Sequence, residues 1–303
     1  MDFARLRTLR ELSLRKTMAA VADALFVSPS AVSQQIAQLE DELGVQLIER
    51  RGRGVRLTPA GARLVAHAER IIAVLEEAKT DIAEMKRIVA GELRVAAFPS
   101  VAAALIPRTI RALELSHPQL QLTLDELEPV DGLAALRAWQ TDVALIDDLT
   151  LFPGVPEGNI EAVHIIDDEL FAMLPISHPL AAKDEITLAD LRNERWALDT
   201  RSNAYSNVIV RACAAVGFEP VINGNCNGFE VVIALIEAGC SVSIMPGLRV
   251  RSYIGEFHSR KVVPAMRRKI SAAFRKGELR NPAIGAFVGQ LRASAGELTE
   301  RYN

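Results

Sequence analysis

Cysteine is scarce in this chain. Of 303 residues only Cys213, Cys226 and Cys240 are cysteines. An odd number at no metal-ligand spacing argues against a disulfide framework and a thiolate metal site. It fits a reducing cytoplasm. Cys213 falls on an Ala-rich helical face and Cys226 in a strand-like run, where buried structural thiols are expected rather than a redox switch. The five histidines, His67, His117, His164, His178 and His258, are scattered and form no ligand-spaced cluster. No Walker loop, no G-x-G-x-x-G after a strand and no G-x-S-x-G elbow is present. Neither a catalytic role nor a metal or other cofactor is therefore expected. Long apolar runs are missing too. The longest weakly polar stretch, Val95 to Pro107, falls far short of the roughly 20 residues a membrane span needs. The opening residues, MDFARLRTLRELSLRK, are charged throughout and lack the apolar centre of a secretory signal.

What is present is ordinary in bulk and uneven in detail. Half the residues are apolar and 24% charged, as in a globular protein of two or three domains. The net charge is -3. Residues 1–90 carry 14 Lys and Arg against 12 Asp and Glu, and the remainder 21 against 26. Arg50, Arg51, Arg53, Arg56 and Arg63 crowd one acid-free stretch. A basic patch on an otherwise acidic chain points to a polyanion bound at one end.

The first ninety residues read as helices around one hairpin. Helices are predicted over Phe3–Leu14, Met18–Leu25 (capped by Thr17) and from Pro29, where Ser28 is the cap and Pro29 the first helical residue. In this third helix Val32, Ile36, Leu39 and Leu43 form the apolar stripe. Ser30, Gln34 and Ala37 face the other way, flanked by Ser33 and Gln38. An exposed face that opens with hydroxyls and amides and ends with Glu40, Asp41 and Glu42 is unusual. Such groups match the donors, acceptors and thymine methyls of base edges in the major groove, and the N-terminal part of a recognition helix is what enters that groove. The acids should lie away from phosphate. A plain solvated helix in an all-α domain is the alternative. VQLIERRGRGVRLT then reads as a small β-hairpin with an arginine tip, placed to grip phosphates or the minor groove. The candidate DNA-binding residues are Ser28, Pro29, Ser30, Ala31, Ser33, Gln34, Gln35, Gln38, Arg50, Arg51, Arg53 and Thr58.

Thr58-Pro59 opens a long helix to about Ala90, roughly 48 Å at 1.5 Å per residue. Leu64, Ala68, Ile71, Leu75, Ala78, Ile82, Met85 and Val89 recur at alternating spacings of four and three. That is a coiled-coil seam, read as a self-association helix; packing against the chain's own domain is the alternative. Gly91 marks its end.

The run TMAAVADALFVSPSAVSQQIAQLEDELGVQLIERRGRGVRLTPAG resembles the N-terminal signature of LysR-type transcriptional regulators, closely over Leu6 to Gly61. Lys16-Thr17 replaces the family's usual Gly-Ser and Ile48 its usual Phe. Thr17 can still cap and Ile48 can still fill the core. The resemblance implies a winged helix-turn-helix over residues 1–58, a linker and dimerisation helix over 59–90, and an effector-binding domain over 91–303. It also implies double-stranded promoter DNA, a small-molecule metabolite and further copies of the chain as partners. The copies would form dimers through the linker helix and tetramers as dimers of dimers. RNA polymerase is a further partner of that class.

The rest of the chain alternates strand and helix patterns. Strands are predicted over Leu93–Phe98, Leu120–Leu124, Val143–Ile146, Ile160–Ile166, Leu170–Leu174, Trp196–Leu198, Val221–Asn225 and Val242–Met245. Helices fit over Val101–Leu115, Leu133–Trp139, Asn203–Val216, Phe229–Ala238 and Pro282–Leu298. Repeated βα units argue for a parallel-type α/β architecture. The resemblance extends here more weakly, through GFEP at 217–220 and EAGCSVSIMP at 237–246, with Cys240-Ser241 departing from the family's A-G-x-G. It implies a two-lobed, periplasmic-binding-protein-like domain, lobe I at about 91–165 and 265–303 and lobe II at about 166–264.

Open α/β sheets bind ligands beyond the carboxyl ends of strands. Those places are Pro99, Ser100 and Val101 in the first lobe and Thr200, Arg201, Ser202 and Asn203 in the second. Phe229, which opens a following helix, is counted with them. Asp147 and Asp148 end a strand on the same side, and Asp147 could meet a cationic group. Plain N-capping and solvated loop acids are the alternatives. The reading at this point is a DNA-binding regulator modulated by a small effector. Two rivals stay open: a solute-binding protein fused to an interaction module, and an enzyme on a two-lobed scaffold.

Overall fold

The computed structural model describes residues 1–52, 54–86, 88–151, 159–199, 203–251, 253 and 255–302. Two compact units divide the chain, Met1–Met85 and Lys86–Asn303.

In the first unit three helices follow one another: α1 (Phe3–Arg15), α2 (Met18–Leu25) and α3 (Pro29–Leu43). Each starts on a side-chain cap that satisfies one orphan N–H. Asp2 accepts from Arg5 N, Thr17 from Ala20 N and Ser28 from Ala31 N. Gly44 ends α3 at φ 65°, a left-handed turn that glycine adopts without strain. Phe26 makes a similar turn between α2 and α3 at φ 54° and is 95% exposed. Val32, Ile36 and Leu39 pack with Leu9, Leu12, Val21 and Leu47 into one core. Leu43, the last member of the expected stripe, is 41% exposed instead, because the helix ends one turn past the core. Strands β1 (Ile48–Arg51) and β2 (Gly54–Leu57) form the antiparallel hairpin. Val55 N ties the hairpin to Lys16 O at 2.8 Å.

Helix α4 (Pro59–Lys86) is shorter than expected and ends before Val89, which packs on the second unit's core instead. Gly61 lies so close to the hairpin's approach that a Cβ there would sit 2.0 Å from Leu47 O.

The second unit contains β3 (Gly91–Ala97), α5 (Pro99–Ala104), α6 (Ile106–Ser116), β4 (Leu120–Glu126), α7 (Pro129–Arg137), β5 (Val143–Asp147), β6 (Ile160–Pro175), β7 (Glu185–Ile186), β8 (Arg195–Asp199), α8 (Asn203–Ala215), β9 (Val221–Cys226), α9 (Phe229–Glu237), β10 (Ser243–Pro246), α10 (Gly247–Arg251), β11 (Phe257–Val262), β12 (Arg267–Arg275) and α11 (Pro282–Tyr302). The order β4-β3-β5-β12-β6-β11-β7 makes one sheet, with β10 also on β6. The parallel architecture expected from βα repeats holds only in part. Strands β3, β4 and β5 are parallel, while β10, β11 and β12 all run antiparallel to β6. The single helix expected over Val101–Leu115 is two, broken at Leu105.

The two strands expected at Ile160–Ile166 and Leu170–Leu174 are one 16-residue strand, β6. It passes from one core to another. Ile165 and Ile166 pack with Val95, Val143, Ile270, Phe274 and Phe287. Leu170, Met173 and Leu174 pack with Trp196, Ile209, Ile233 and Val262. The chain thus makes two lobes on strands that run through both.

Candidate nucleic-acid interface and effector cleft

The start of α3 offers an uncharged polar surface. Ser28, Pro29, Ser30, Ser33, Gln34 and Gln38 are exposed and Ala31 is half-buried. The Ser28 hydroxyl is used as the cap and lies 2.8 Å from the Ser30 hydroxyl. Two expected contact residues are otherwise engaged. Gln35 turns toward α1 and accepts a hydrogen bond from Thr8 Oγ1. Thr58 is buried, caps α4 through Gly61 N at 3.0 Å and donates to Gln46 O at 2.8 Å. Each has a polar side-chain atom engaged by a neighbour from another element.

Two of the acids at the end of α3, Glu40 and Glu42, have partners in neighbouring elements. Glu40 Oε1 accepts from Leu47 N (2.7 Å) and Ile48 N (3.2 Å), fixing the approach to β1. Glu42 pairs with Arg5 Nη1 at 3.0 Å. Arg51 and Arg56 stand exposed on the hairpin. Arg50 lies in β1, and Arg53 falls outside the described residues.

In the second unit the ends of β3 and β5 and the start of β12 converge on a small cavity. Its lining includes Pro99, Ser100, Asp147 and Phe229, all anticipated, together with Glu128, Thr150, Asp199, Tyr205 and Arg268. It leaves about 20 Å³ of free space, enough for one water-sized group. Val101 is turned into the hydrophobic core and does not reach the cavity; it sits one residue round the helix from Ser100. Asn203 begins α8, while Thr200, Arg201 and Ser202 fall outside the described residues. Asp148 faces away, its Oδ1 accepting from Lys269 N at 2.7 Å, because alternate residues at a strand end point to opposite sides.

Arg268 dominates the cavity and was not anticipated. It is 3% exposed. Its Nε and Nη2 donate to Asp168 Oδ2 at 3.0 and 2.8 Å, and Nη2 donates to Ser100 Oγ at 2.6 Å. Nη1 stands 3.8 Å from Asp147 Oδ2, and the guanidinium lies over the Phe98 ring, 5.0 Å from its centroid. Arg268 on β12 is the register partner of Asp168 on β6. The ion pair therefore bridges the strand that joins the two lobes. Asp168 Oδ1 accepts from Leu248 N at 2.9 Å, and Asp199 Oδ1 accepts from Gly228 N at 3.0 Å. Tyr205 donates to Ile244 O at 3.2 Å, and burial pushes its phenol well above the usual range.

The cysteines are elsewhere. Cys213 and Cys226 are buried and Cys240 is exposed. Burial pushes the Cys213 thiol up to about 11 and, with Asp199 nearby, raises that of Cys226. Both are weak nucleophiles near neutral pH.

Two family models match this arrangement of reading helix, hairpin and cleft. The bacterial regulatory helix-turn-helix of the lysR family matches residues 3–62, and the LysR substrate binding domain matches residues 86–296. The chain belongs to the LysR family. It is a LysR-type DNA-binding transcriptional regulator with an effector-binding domain. Relatives of this regulator include GltC of Bacillus subtilis, a transcriptional dual regulator, 30% identical over 247 residues and 81% of each chain. OxyR of Escherichia coli K12 is 26% identical over 283 residues, 91% of this chain and 90% of its own. Among solved structures, full-length OxyR C199D from Pseudomonas aeruginosa superposes with a TM-score of 0.72 at 26% identity, covering 96% of this chain and 95% of that one. Full-length CbnR complexed with its target DNA superposes at 0.56 with 28% identity, over 97% and 100%. As a LysR-type regulator the chain carries its helix-turn-helix first and its effector domain second. No helix among the described residues is long and apolar enough to cross a membrane.

Proposed function

We propose that this LysR-family chain reads promoter DNA through Ser30, Ser33, Gln34 and Gln38, grips the phosphates through the arginine hairpin, and is switched by a small molecule in the cleft around Ser100 and Arg268. One observation carries the reading. The exposed start of α3 keeps its hydroxyls and amides outward while Glu40 and Glu42 are held by partners of their own. That leaves a face suited to base edges, and CbnR, a structural relative, is seen complexed with its target DNA. Domain limits at residues 58 and 90, and lobes changing near 165 and 264, are part of the same proposal.

Self-association through α4 completes it. Ile71, Leu75, Ile82 and Met85 are exposed, Met85 by 80%, and a row of large apolar side chains on one helix is suited to a second copy. Two copies bring two reading helices to two half-sites, and pairs of dimers follow the family pattern. An effector then acts by its differential affinity for two arrangements of the copies. The regulator works in the cytoplasm without catalysing a reaction, and RNA polymerase is the machinery it meets at the promoter.

The test is a gel shift with the DNA upstream of its own gene across a salt series. Retention that survives competitor DNA and weakens with salt is expected. No retention at any salt, or retention abolished by any competitor, overturns the reading.

A further inference from the structure

We infer that the effector is an organic cation, a compound bearing a protonated amine, whose charged end seats against Asp147 and Thr150. The inference rests on the cleft being an effector site and names the chemistry that site takes.

Asp147 is 2% exposed and lies at the end of β5. Its Oδ1 is fully used, accepting from Leu149 N at 2.9 Å and Thr150 N at 2.7 Å. Its Oδ2 is buried and accepts no hydrogen bond. A buried carboxylate oxygen without a donor is costly. Arg268 is the nearest cation, yet its Nη1 stops at 3.8 Å, beyond hydrogen-bond reach. The guanidinium is held there by Asp168 and Ser100, which take its Nε and Nη2. Arg268 therefore neutralises Asp168 and lends Asp147 charge but no proton. The Thr150 hydroxyl lines the same cavity and is likewise buried without a hydrogen bond.

Two unsatisfied oxygens on one wall want a donor with more than one N–H, and an ammonium offers three. Charge agrees with this. Glu128, Asp147 and Asp199 line the cavity and Asp168 adjoins it, against the single cation Arg268 among the described lining residues. Carboxylates in the lining repel an anionic ligand end and attract a cationic one. Aromatic rings complete the wall. Tyr205 and Phe229 meet edge to face with centroids 6.1 Å apart, and ring faces favour a desolvated cation. The free space of about 20 Å³ holds an amine head. The carbon chain behind it extends along the cleft, so binding alters how the lobes meet across β6.

The full-length protein is titrated with butylamine and 1,4-diaminobutane, with butyrate and succinate as chain-matched acids, and with KCl at equal ionic strength. Melting temperature and calorimetric binding are read for the wild type, Asp147→Asn and Thr150→Val. The amines are expected to bind and raise the melting temperature. Asp147→Asn is expected to weaken amine binding at least tenfold and Thr150→Val several-fold. Thr150→Val removes only an unbonded hydroxyl, so it keeps the test decisive if Asp147→Asn folds poorly. Acids binding where amines do not would overturn the cation inference and leave the effector site standing. Amine binding that ignores both substitutions, or a shift that KCl reproduces, would also overturn it. If neither class binds and no small molecule changes operator affinity, the effector reading itself falls.

Discussion

Replacing Arg268 by methionine keeps a long apolar stem in the cleft and removes only the guanidinium. The structure sets the size of the effect. Asp168 loses donors at 3.0 and 2.8 Å, Ser100 loses one at 2.6 Å, and Asp147 loses the cation 3.8 Å away. Summing ionic hydrogen bonds at about 1.5–3 kcal/mol each would overshoot, because the groups share one cation. Removing one partner of a buried ion pair costs about 3–5 kcal/mol, since the orphaned carboxylate stays buried. For a unit of this size that is a drop of roughly 6–20 °C in Tm. Both tryptophans, Trp139 and Trp196, belong to the second unit, so fluorescence during urea unfolding of the full chain reports on that unit alone. Asp168→Leu placed on the Arg268→Met background should return part of the stability. A deficit below about 1 kcal/mol would refute the claim that Arg268 neutralises the buried Asp168.

Four further outcomes are expected. Gln34→Ala should lower discrimination between operator and mismatched DNA by about 1–3 kcal/mol, whereas Arg51→Ala should weaken binding to all sequences and reduce the salt slope by about one; competition gel shifts separate the two. Asp142 is half-buried, which works to raise its carboxyl, but Arg94 (2.7 and 3.1 Å) and Arg275 (3.2 Å) outweigh that and hold it below the usual range. Asp142→Asn should therefore cost about 2–3 kcal/mol at pH 7, a difference present above about pH 4 and lost as pH falls through the lowered value, read by urea unfolding at pH 7 and pH 3.5. Gly61→Ala should destabilise the first unit by about 2–3 kcal/mol, because its Cβ would meet the Leu47 backbone, which has no rotamer to move away; a circular dichroism melt showing no loss would contradict the close approach. Ile82→Glu with Met85→Glu should shift the chain toward monomer in sedimentation at micromolar concentration, without altering the fold of either unit.

How much of this was legible in the sequence depended on how far away each residue's partner lies. The caps of α1 to α3 are local devices. Thr17 and Ser28 act within three residues, so their letters and spacing sufficed. The engagement of Gln35 and Thr58 was not legible because their partners, Thr8 Oγ1 and Gln46 O, come from other elements. The same limit hid the centre of the cleft. In Ile160–Pro175 the acidic run Asp167-Asp168-Glu169 reads as a break between two strands, since three carboxylates do not belong in a buried β run. The strand is continuous because Arg268, 100 residues later, supplies the charge that lets Asp168 stay inside. Conversely, RRKISAAFR opens with three cations and did not read as a strand at all. Its second arginine is buried only because β12 pairs with β6 in a register that sets it opposite Asp168. Each half of the pair disguises the other's strand when read alone. Once paired, they mark the point where two lobes share one sheet, beside Ser100 and Asp147, whose places at a helix start and a strand end were legible without the pair.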